Sequence, residues 1–389
     1  MYEAFAVAAP GLEAIVAAEL AELKVKDARV MEGGVEFTAS QKALYEANLH
    51  LRTASRVLVR LARFRAVSFA ELERNARKVH WERILNRGDS VALRVTCRKS
   101  RLYHSDAVAE RIERDLAERM GAVALRAASS DEGTADETGA GQLAAQLIIV
   151  RLDHDKCTIS ADSSGAHLHL RGYRTAITQA PMRETLAAAL ILASGWDRRT
   201  ALIDPFCGSG TIPIEAALIA ARIAPGRNRP FQFMQWPGYD VSEWQRVLAS
   251  AVRSEKPDGV PAIIGTDRSV AAIRAATDNA GRAGVTSMVR FEKQDAMAIV
   301  AGDSPGWVVT NPPYGVRLGD ASESRRLMAQ FGDALRLRLH GWRVAVMAPP
   351  QLDRALGIPL NAELRTTNGG LRIAFLVGVI PNGQGPAGV

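Results

Sequence analysis

Residues 201–211 read Ala201-Leu202-Ile203-Asp204-Pro205-Phe206-Cys207-Gly208-Ser209-Gly210-Thr211. A short apolar run, long enough for one buried strand, ends in an acidic residue. The chain then turns through two glycines and enters a helix near Thr211. Strand, glycine turn and helix start in that order form the opening unit of a doubly wound α/β sheet. Ligands in such sheets sit beyond the carboxyl ends of the strands, at a switch point. Glycines there let the backbone approach a ligand closely, and the helix start offers unpaired amides to an anion.

Downstream, short apolar strands alternate with helices: Ala262-Ile263-Ile264-Gly265, Val289-Arg290-Phe291, Trp307-Val308-Val309 and residues 342–347. This alternation implies a mostly parallel sheet covered on both faces. Residues 370–377 read as a last strand, residues 225–258 as an insertion, and the Gly- and Pro-rich residues 381–389 as a disordered tail.

Upstream of about residue 170 the pattern is α+β. Residues 5–7 and 35–37 read as strands. Leu12, Ile15, Val16, Leu20 and Leu23 recur at helical spacing, and Ser40 suits the cap of a helix over 41–51. Residues 69–79 read as helical and 90–97 as a strand. A helix capped by Ser105, with Val108, Ile112 and Leu116 on its apolar face, stops at Gly121. The acidic, glycine-rich residues 131–139 read as a mobile loop, and residues 146–152 and 157–162 as paired strands. The expected division is therefore 1–52, 53–165, 166–380 and a tail 381–389.

The chain has 389 residues, enough for two or three domains. It carries no apolar run of eighteen residues, so no membrane span is expected, and no secretory signal at its start. Cys97, Cys157 and Cys207 are too few and too scattered for a disulfide framework or a zinc site, and the seven His residues show no metal spacing. The setting expected is the cytoplasm, with no metal. A net charge of +7 and a pI near 9.5 fit a polyanionic partner. A merely soluble basic protein would show the same charge, and a GC-rich codon bias the same excess of Arg over Lys.

The second decisive segment is Asn311-Pro312-Pro313-Tyr314, directly after the apolar strand ending at Thr310. Alone, an Asn-Pro-Pro turn is only a turn. Beyond a glycine loop of the kind above, it points to methyl transfer from S-adenosylmethionine to a planar exocyclic nitrogen. The lone pair of such a nitrogen is delocalised into its ring. The Asn311 side chain and the Pro312 carbonyl can accept its two hydrogens and draw it toward tetrahedral geometry. Pro313 fixes the turn, and Tyr314 can stack on the base for about 1–3 kcal/mol. No strong base is needed, because the nitrogen loses its proton readily once it is cationic.

For the cofactor, Asp204, Phe206, Gly208, Gly210 and Thr211 supply the loop and helix start. Asp267, ending the next strand, can accept from both ribose hydroxyls, or it can simply cap the helix before Ser269. Asp295 can accept from the adenine amine, or serve a surface turn. Asn311 borders the same space. A nicotinamide cofactor is the competing reading, but its fingerprint would want a small residue where Pro213 stands. Cys207 reads as a packing residue.

Taken together, Asp204–Thr211 and Asn311–Tyr314 resemble the class I methyltransferases that act on exocyclic amines. Further segments agree with the THUMP-containing RNA guanine-N2 methyltransferases: Arg171-Gly172-Tyr173-Arg174, residues 180–188, Ile223-Ala224-Pro225-Gly226 with Phe231, and Trp236-Pro237. Residues 96–104 resemble the THUMP region of the bacterial enzymes of this family that act on 23S rRNA, and Ala9-Pro10-Gly11-Leu12-Glu13 fits as well. The resemblance spans nearly the whole chain. It implies a Rossmann-like class I methyltransferase domain at 166–380, a ferredoxin-like part at 1–52 and a THUMP domain at 53–165. It also implies S-adenosylmethionine as cofactor, and RNA binding by Arg98, Lys99 and Arg101. The expected activity is methylation of a guanosine N2 amine in 23S rRNA.

Many rRNA members carry Glu two residues after the tyrosine, where this chain has Val316, and this leaves the target RNA open. A second methyltransferase domain, fused in some relatives, is not expected in this chain. The alternatives are a tRNA guanine-N2 methyltransferase, an adenine-N6 methyltransferase, and, in a different class, a non-catalytic RNA-binding ribosome-assembly factor.

Overall fold

The computed structural model describes residues 1–126, 145–174, 182–300, 302, 304–313, 321–352 and 354–382. The acidic segment 131–139, Tyr314 and the residues just after it, and nearly all of the tail lie outside these. The chain folds as two compact units. One holds Met1–Ala8, Val16–Leu170 and Gly226–Ser250; the other holds Ala9–Ile15, Arg171–Pro225 and Ala251–Val389.

In chain order the first elements are β1 (Tyr2–Val7), α1 (Glu13–Glu22), β2 (Arg29–Met31), β3 (Gly34–Ala39), α2 (Gln41–His50), β4 (Arg56–Arg65) and α3 (Phe69–Ala76). They are followed by β5 (Ser90–Arg98), α4 (Ser105–Met120), β6 (Val123–Arg126), β7 (Gln146–Asp153) and β8 (Lys156–Asp162). Their eight strands form one sheet in the order β2-β3-β1-β4-β8-β7-β5-β6. β4 pairs antiparallel with β1 on one side and with β8 on the other. Segments 1–52 and 53–165 therefore share a single sheet.

Ser40 caps α2 as expected, accepting from the Ala43 amide at 3.1 Å. α4 buries Val108, Ile112 and Leu116 and ends at Gly121. Its N-cap is His104, however, and Ser105 is the first helical residue. β7 and β8 are joined by a two-residue turn with His154 at φ 51° and Asp155 at φ 62°. Positive φ at both central residues matches the right-handed twist of a tight hairpin.

The insertion expected at 225–258 contributes residues 226–250 to this same unit. Phe233 stacks on Tyr45 of α2 with ring centroids 4.4 Å apart, and Phe231 and Trp244 complete the aromatic cluster. The Trp236 indole donates to the Gln146 side chain at 2.7 Å. Arg229 is buried, and its guanidinium donates to the carbonyls of Ser164, Ala166, His167 and Leu170.

The second unit is built from α5 (Glu184–Ser194), β9 (Leu202–Asp204), α6 (Thr211–Ala220), then, after α7 (Val241–Arg253), β10 (Ile263–Asp267), α8 (Val270–Ala283), β11 (Arg290–Lys293), β12 (Trp307–Thr310), α9 (Ala321–Arg338), β13 (Arg343–Ala348), β14 (Leu360–Asn368) and β15 (Leu371–Val379). The sheet order is β11-β10-β9-β12-β13-β15-β14. The first five strands run parallel, and β15 lies antiparallel between β13 and β14. Strand order reverses at β9, because β10 lies on one side of it and β12 on the other. α6 is buried from Thr211 to Ile219, which accounts for a helix that is apolar except at Thr211 and Glu215.

Candidate active site

The described cofactor and acceptor residues read from the sequence lie at or just beyond the carboxyl ends of four neighbouring strands, β11, β10, β9 and β12. Asp204 ends β9, Asp267 ends β10 and Asp295 follows β11. Asn311, Pro312 and Pro313 follow β12. The glycine loop and the Asn-Pro-Pro turn are thus on the same edge of one sheet. They are joined by a direct contact that the sequence reading missed. Thr310 Oγ1, at the end of β12, donates to Asp204 Oδ1, at the end of β9, at 2.6 Å. Both residues are buried. Burial, with Asp267 nearby, raises the Asp204 carboxyl to about 7, against the opposing bonds from Thr310 and the Phe206 amide.

Gly208 and Gly210 both adopt positive φ, at 52° and 84°, which a side-chain-bearing residue rarely adopts. Their surroundings differ. A Cβ at Gly210 would lie 2.9 Å from both the Ala276 side chain and the Phe291 ring, whereas a Cβ at Gly208 would meet nothing. Gly210 is therefore a packing requirement, and Gly208 faces open space. Gly210 is the N-cap of α6, and no side chain caps that helix. Thr211 is its first, buried residue. Phe206 packs edge-on against Phe331, with centroids 5.0 Å apart. The Cys207 thiol is buried and pushed well above its ordinary value by burial, which makes it an inert packing group.

Asp267 does two things. Its Oδ2 accepts from the Gly208 amide at 3.1 Å, and its Oδ1 accepts from the Ser269 amide at 2.8 Å. Ser269 is the N-cap of α8, so Asp267 tethers the glycine loop and is not the helix cap. Asp295 is exposed and accepts from the Met297 amide at 2.8 Å, capping the turn after β11. From below, the buried Asn279 of α8 donates to the Ser209 carbonyl at 2.9 Å. Arg282 donates to Asn279 Oδ1 and to the Tyr173 carbonyl, while the Tyr173 hydroxyl donates to the buried Glu215. An Asn inside an exposed-looking helix was the only sequence signal for this brace, since Asn disfavours helix interiors.

Asn311 Oδ1 is shut off from solvent and has no hydrogen-bond partner among the described residues. Leaving such a carbonyl unpaired costs about 1–3 kcal/mol, which a donor amine would relieve. An unpaired acceptor, open space over Gly208, an uncapped helix start and three carboxylates fit an S-adenosyl ligand beside an amine donor. A cavity of about 540 Å³ bounded by Val260, Ile263, Val289 and Arg290 is at the opposite, amino end of β10 and β11.

Arg98, Lys99 and Arg101 lie in the other unit, Arg98 at the end of β5 and the other two in the turn before α4, and all three are exposed. Lys99 has φ 46°, and the turn is tied down by the Arg101 amide, which donates to Asp155 at 2.7 Å. Tyr103, beside it, is 68% exposed. Among the described residues no cluster of His, Cys, Asp or Glu could hold a metal ion, and no helix is long and apolar enough to cross a membrane.

A sheet in this order, with the glycine loop and the Asn-Pro-Pro turn flanking its reversal, defines the S-adenosylmethionine-dependent methyltransferase class. The antiparallel strand inserted next to its edge sets it apart from the six-stranded dinucleotide-binding sheet. Residues 171–355 match the RMKL-like methyltransferase domain, residues 3–58 match the RlmL ferredoxin-like domain, and the chain is 32% identical to a putative RNA methyltransferase of Synechocystis, covering 96% of this chain and 95% of that protein. The chain belongs to the RMKL-like methyltransferase family. It is also 37% identical over 385 residues to the ribosomal RNA large subunit methyltransferase K/L of Syntrophotalea carbinolica, covering 96% of this chain and 53% of that protein. It thus spans about half the length of that relative. A crystal structure described as SMU.472, a putative methyltransferase complexed with S-adenosylhomocysteine, matches with a TM-score of 0.84 at 28% identity, over 99% of this chain and 98% of that one.

Proposed function

We propose that this protein transfers a methyl group from S-adenosylmethionine to the N2 amine of a guanosine in 23S rRNA. The observation that carries the reading is the buried Asn311 Oδ1 just after β12, without a hydrogen-bond partner among the described residues and one strand from the glycine loop. When bound, the cofactor supplies an electrophilic methyl group on a sulfonium. The chain's own residues do the rest. Asp267 would accept from the ribose hydroxyls with its remaining lone pairs while holding Gly208, and Asp295 would accept from the adenine amine. The loop at Phe206, Gly208 and Gly210 and the helix start at Thr211 would receive the carboxylate. Asp204 would place negative charge beside the cationic groups, and a nearby cation would favour its ionised form. Asn311 Oδ1 and the Pro312 carbonyl would hold the acceptor amine in line with the methyl group, with Pro313 fixing the turn and Tyr314 stacking on the base.

The RNA reading is supported by the K/L relative, by the net charge of +7 and by the exposed turn carrying Arg98, Lys99 and Arg101. We assign residues 1–52 as the ferredoxin-like part, 53–165 as a THUMP RNA-binding domain and 166–380 as the methyltransferase domain, acting in the cytoplasm without a metal. The test is methylation of ribosomal RNA from a strain lacking the gene, using labelled cofactor and mass mapping of the product. N2-methylguanosine at one position of 23S rRNA is the expected result. Label confined to tRNA, or found on adenine N6, would replace the substrate assignment. No transfer to any RNA would leave a non-catalytic binding factor.

A further inference from the structure

We propose that Thr310 is a positioning residue: its hydroxyl ties the acceptor strand β12 to the cofactor strand β9 and fixes the Asp204 carboxylate at the reversal of the sheet. This inference rests on the methyltransferase reading and adds to it a residue that neither the glycine loop nor the Asn-Pro-Pro turn includes.

The geometry is specific. β9 and β12 are adjacent and parallel, with Val308 opposite Ile203, so their carboxyl ends emerge side by side. Backbone pairing ends there. Beyond it the strands diverge, one into the glycine loop and the other into the turn that presents Asn311. The Thr310 hydroxyl closes that gap with a 2.6 Å bond to Asp204 Oδ1, the short length of a hydroxyl donating to a carboxylate. Thr310 is adjacent in the chain to Asn311, so a shift of its side chain moves the acceptor directly. Trp307, Val308 and Val309 are apolar and buried, and a fourth apolar residue would have continued the pattern. A buried hydroxyl in its place is accounted for by its partner.

The bond also bears on charge. The groups facing Asp204 are the Thr310 hydroxyl from β12, the Phe206 amide and Cys207 thiol from the loop, and the Asp267 carboxylate from β10. Thr310 and the Phe206 amide favour the ionised carboxylate, while burial and Asp267 oppose it. Removing the hydroxyl therefore leaves Asp204 harder to ionise, and a ligand that needs the carboxylate then binds well only at higher pH.

The experiment compares full-length wild type, Thr310→Val and Thr310→Ser. It measures S-adenosylhomocysteine affinity by calorimetry between pH 6 and 9, together with kcat and KM for RNA. Val keeps the shape and removes the hydroxyl; Ser keeps the hydroxyl. Expected for Val is about tenfold weaker ligand binding near neutral pH, the size of a lost hydrogen bond to a carboxylate. The pH curve should move upward and kcat should fall while KM for RNA stays put. Ser should restore the wild-type pH curve. A Val variant that binds and turns over like wild type overturns the inference. So does a Ser variant as impaired as Val, which would reduce Thr310 to packing. If Val fails to fold, Ser against Asp204→Asn decides, because a wild-type curve for Ser and a flattened one for Asn support the inference and matching curves sink it. A wild type that binds no S-adenosylhomocysteine at any pH would instead remove the cofactor reading itself.

Discussion

Asn311 and Asp267 differ in what the described residues already bond to them, so their substitutions separate cleanly. Asn311 Oδ1 has no partner to lose among the described residues. Asn311→Ala should therefore leave the melting temperature nearly unchanged, lower kcat about 100-fold or more, and keep RNA affinity within about twofold. Steady-state kinetics beside a filter-binding titration check this, and unchanged turnover would remove the acceptor role. Asp267 differs, because its carboxylate already tethers the Gly208 amide. Asp267→Ala should weaken S-adenosylhomocysteine binding by about 10–100-fold, more than one lost hydrogen bond would. An unaltered dissociation constant would refute the ribose role.

Asp204 gives a pH prediction. Its folded value near 7 is above the ordinary 3.8, chiefly through burial. The folded, ligand-free protein thus holds a proton that the unfolded chain has already released in that window. The stabilising contribution is complete below the ordinary value and is lost as pH rises through 7. The ligand-free melting temperature should fall between about pH 4 and about pH 7, and level off above that, relative to Asp204→Asn, as read by scanning calorimetry; parallel curves for the two proteins would contradict it. Most of these residues were legible because their types and spacing advertise them. Thr310 and Asn279 were not, because each matters through one long-range bond, to Asp204 and to the Ser209 carbonyl.

At the scale of elements, the glycine loop shows why two residues of one type are not equivalent. Gly208→Ala places a methyl group in open space at φ 52°. The left-handed conformation should cost about 1–2 kcal/mol, and the methyl should intrude on the space proposed for the ligand. Gly210→Ala adds a clash with Ala276 and Phe291 to the same strain. Thermal melts should therefore rank Gly210→Ala clearly below Gly208→Ala, while both lose S-adenosylhomocysteine affinity. The reverse order would mean that the packing under α6 is softer than the contacts indicate. The parallel strands were legible because each is a short apolar run. β4 was not read, although it joins the two halves of the eight-stranded sheet. It mixes arginines into both faces, buries Arg56 in an ion pair with Asp162, and carries an irregularity between Arg60 and Ala62 that breaks the period. β14 was also missed: it is an edge strand with most side chains exposed and a bulge between Ala362 and Leu364.

Across the whole molecule, charge should govern RNA binding and chain connectivity should govern folding. Exposed Arg98, Lys99 and Arg101 should act on RNA through phosphate neutralisation. The double substitution Lys99→Glu with Arg101→Glu should weaken binding several-fold at low salt, less at high salt, and flatten the salt dependence. A salt slope identical to wild type would make the turn an ordinary solvated surface.

Connectivity makes the other prediction. The N-terminal unit is discontinuous in sequence, because residues 226–250 return to it after the chain has entered the second unit. Sequence periodicity cannot reveal this, since it reports local structure only. Those residues contribute buried Phe231, Phe233, Trp236 and Trp244, and Arg229 satisfies four carbonyls between Ser164 and Leu170. A fragment ending at residue 170 would expose the Tyr45 face and leave those carbonyls without their donor, which is costly for any that stay buried. It should melt broadly and bind a hydrophobic dye. Joining residues 226–250 to that fragment by a flexible linker should restore a sharp transition, and Arg229→Met in the joined protein should blunt it again by removing the donor while keeping an apolar stem. If residues 1–170 alone melt as sharply, and at the same temperature, as the joined protein, then the segment only decorates the surface of a unit that folds without it.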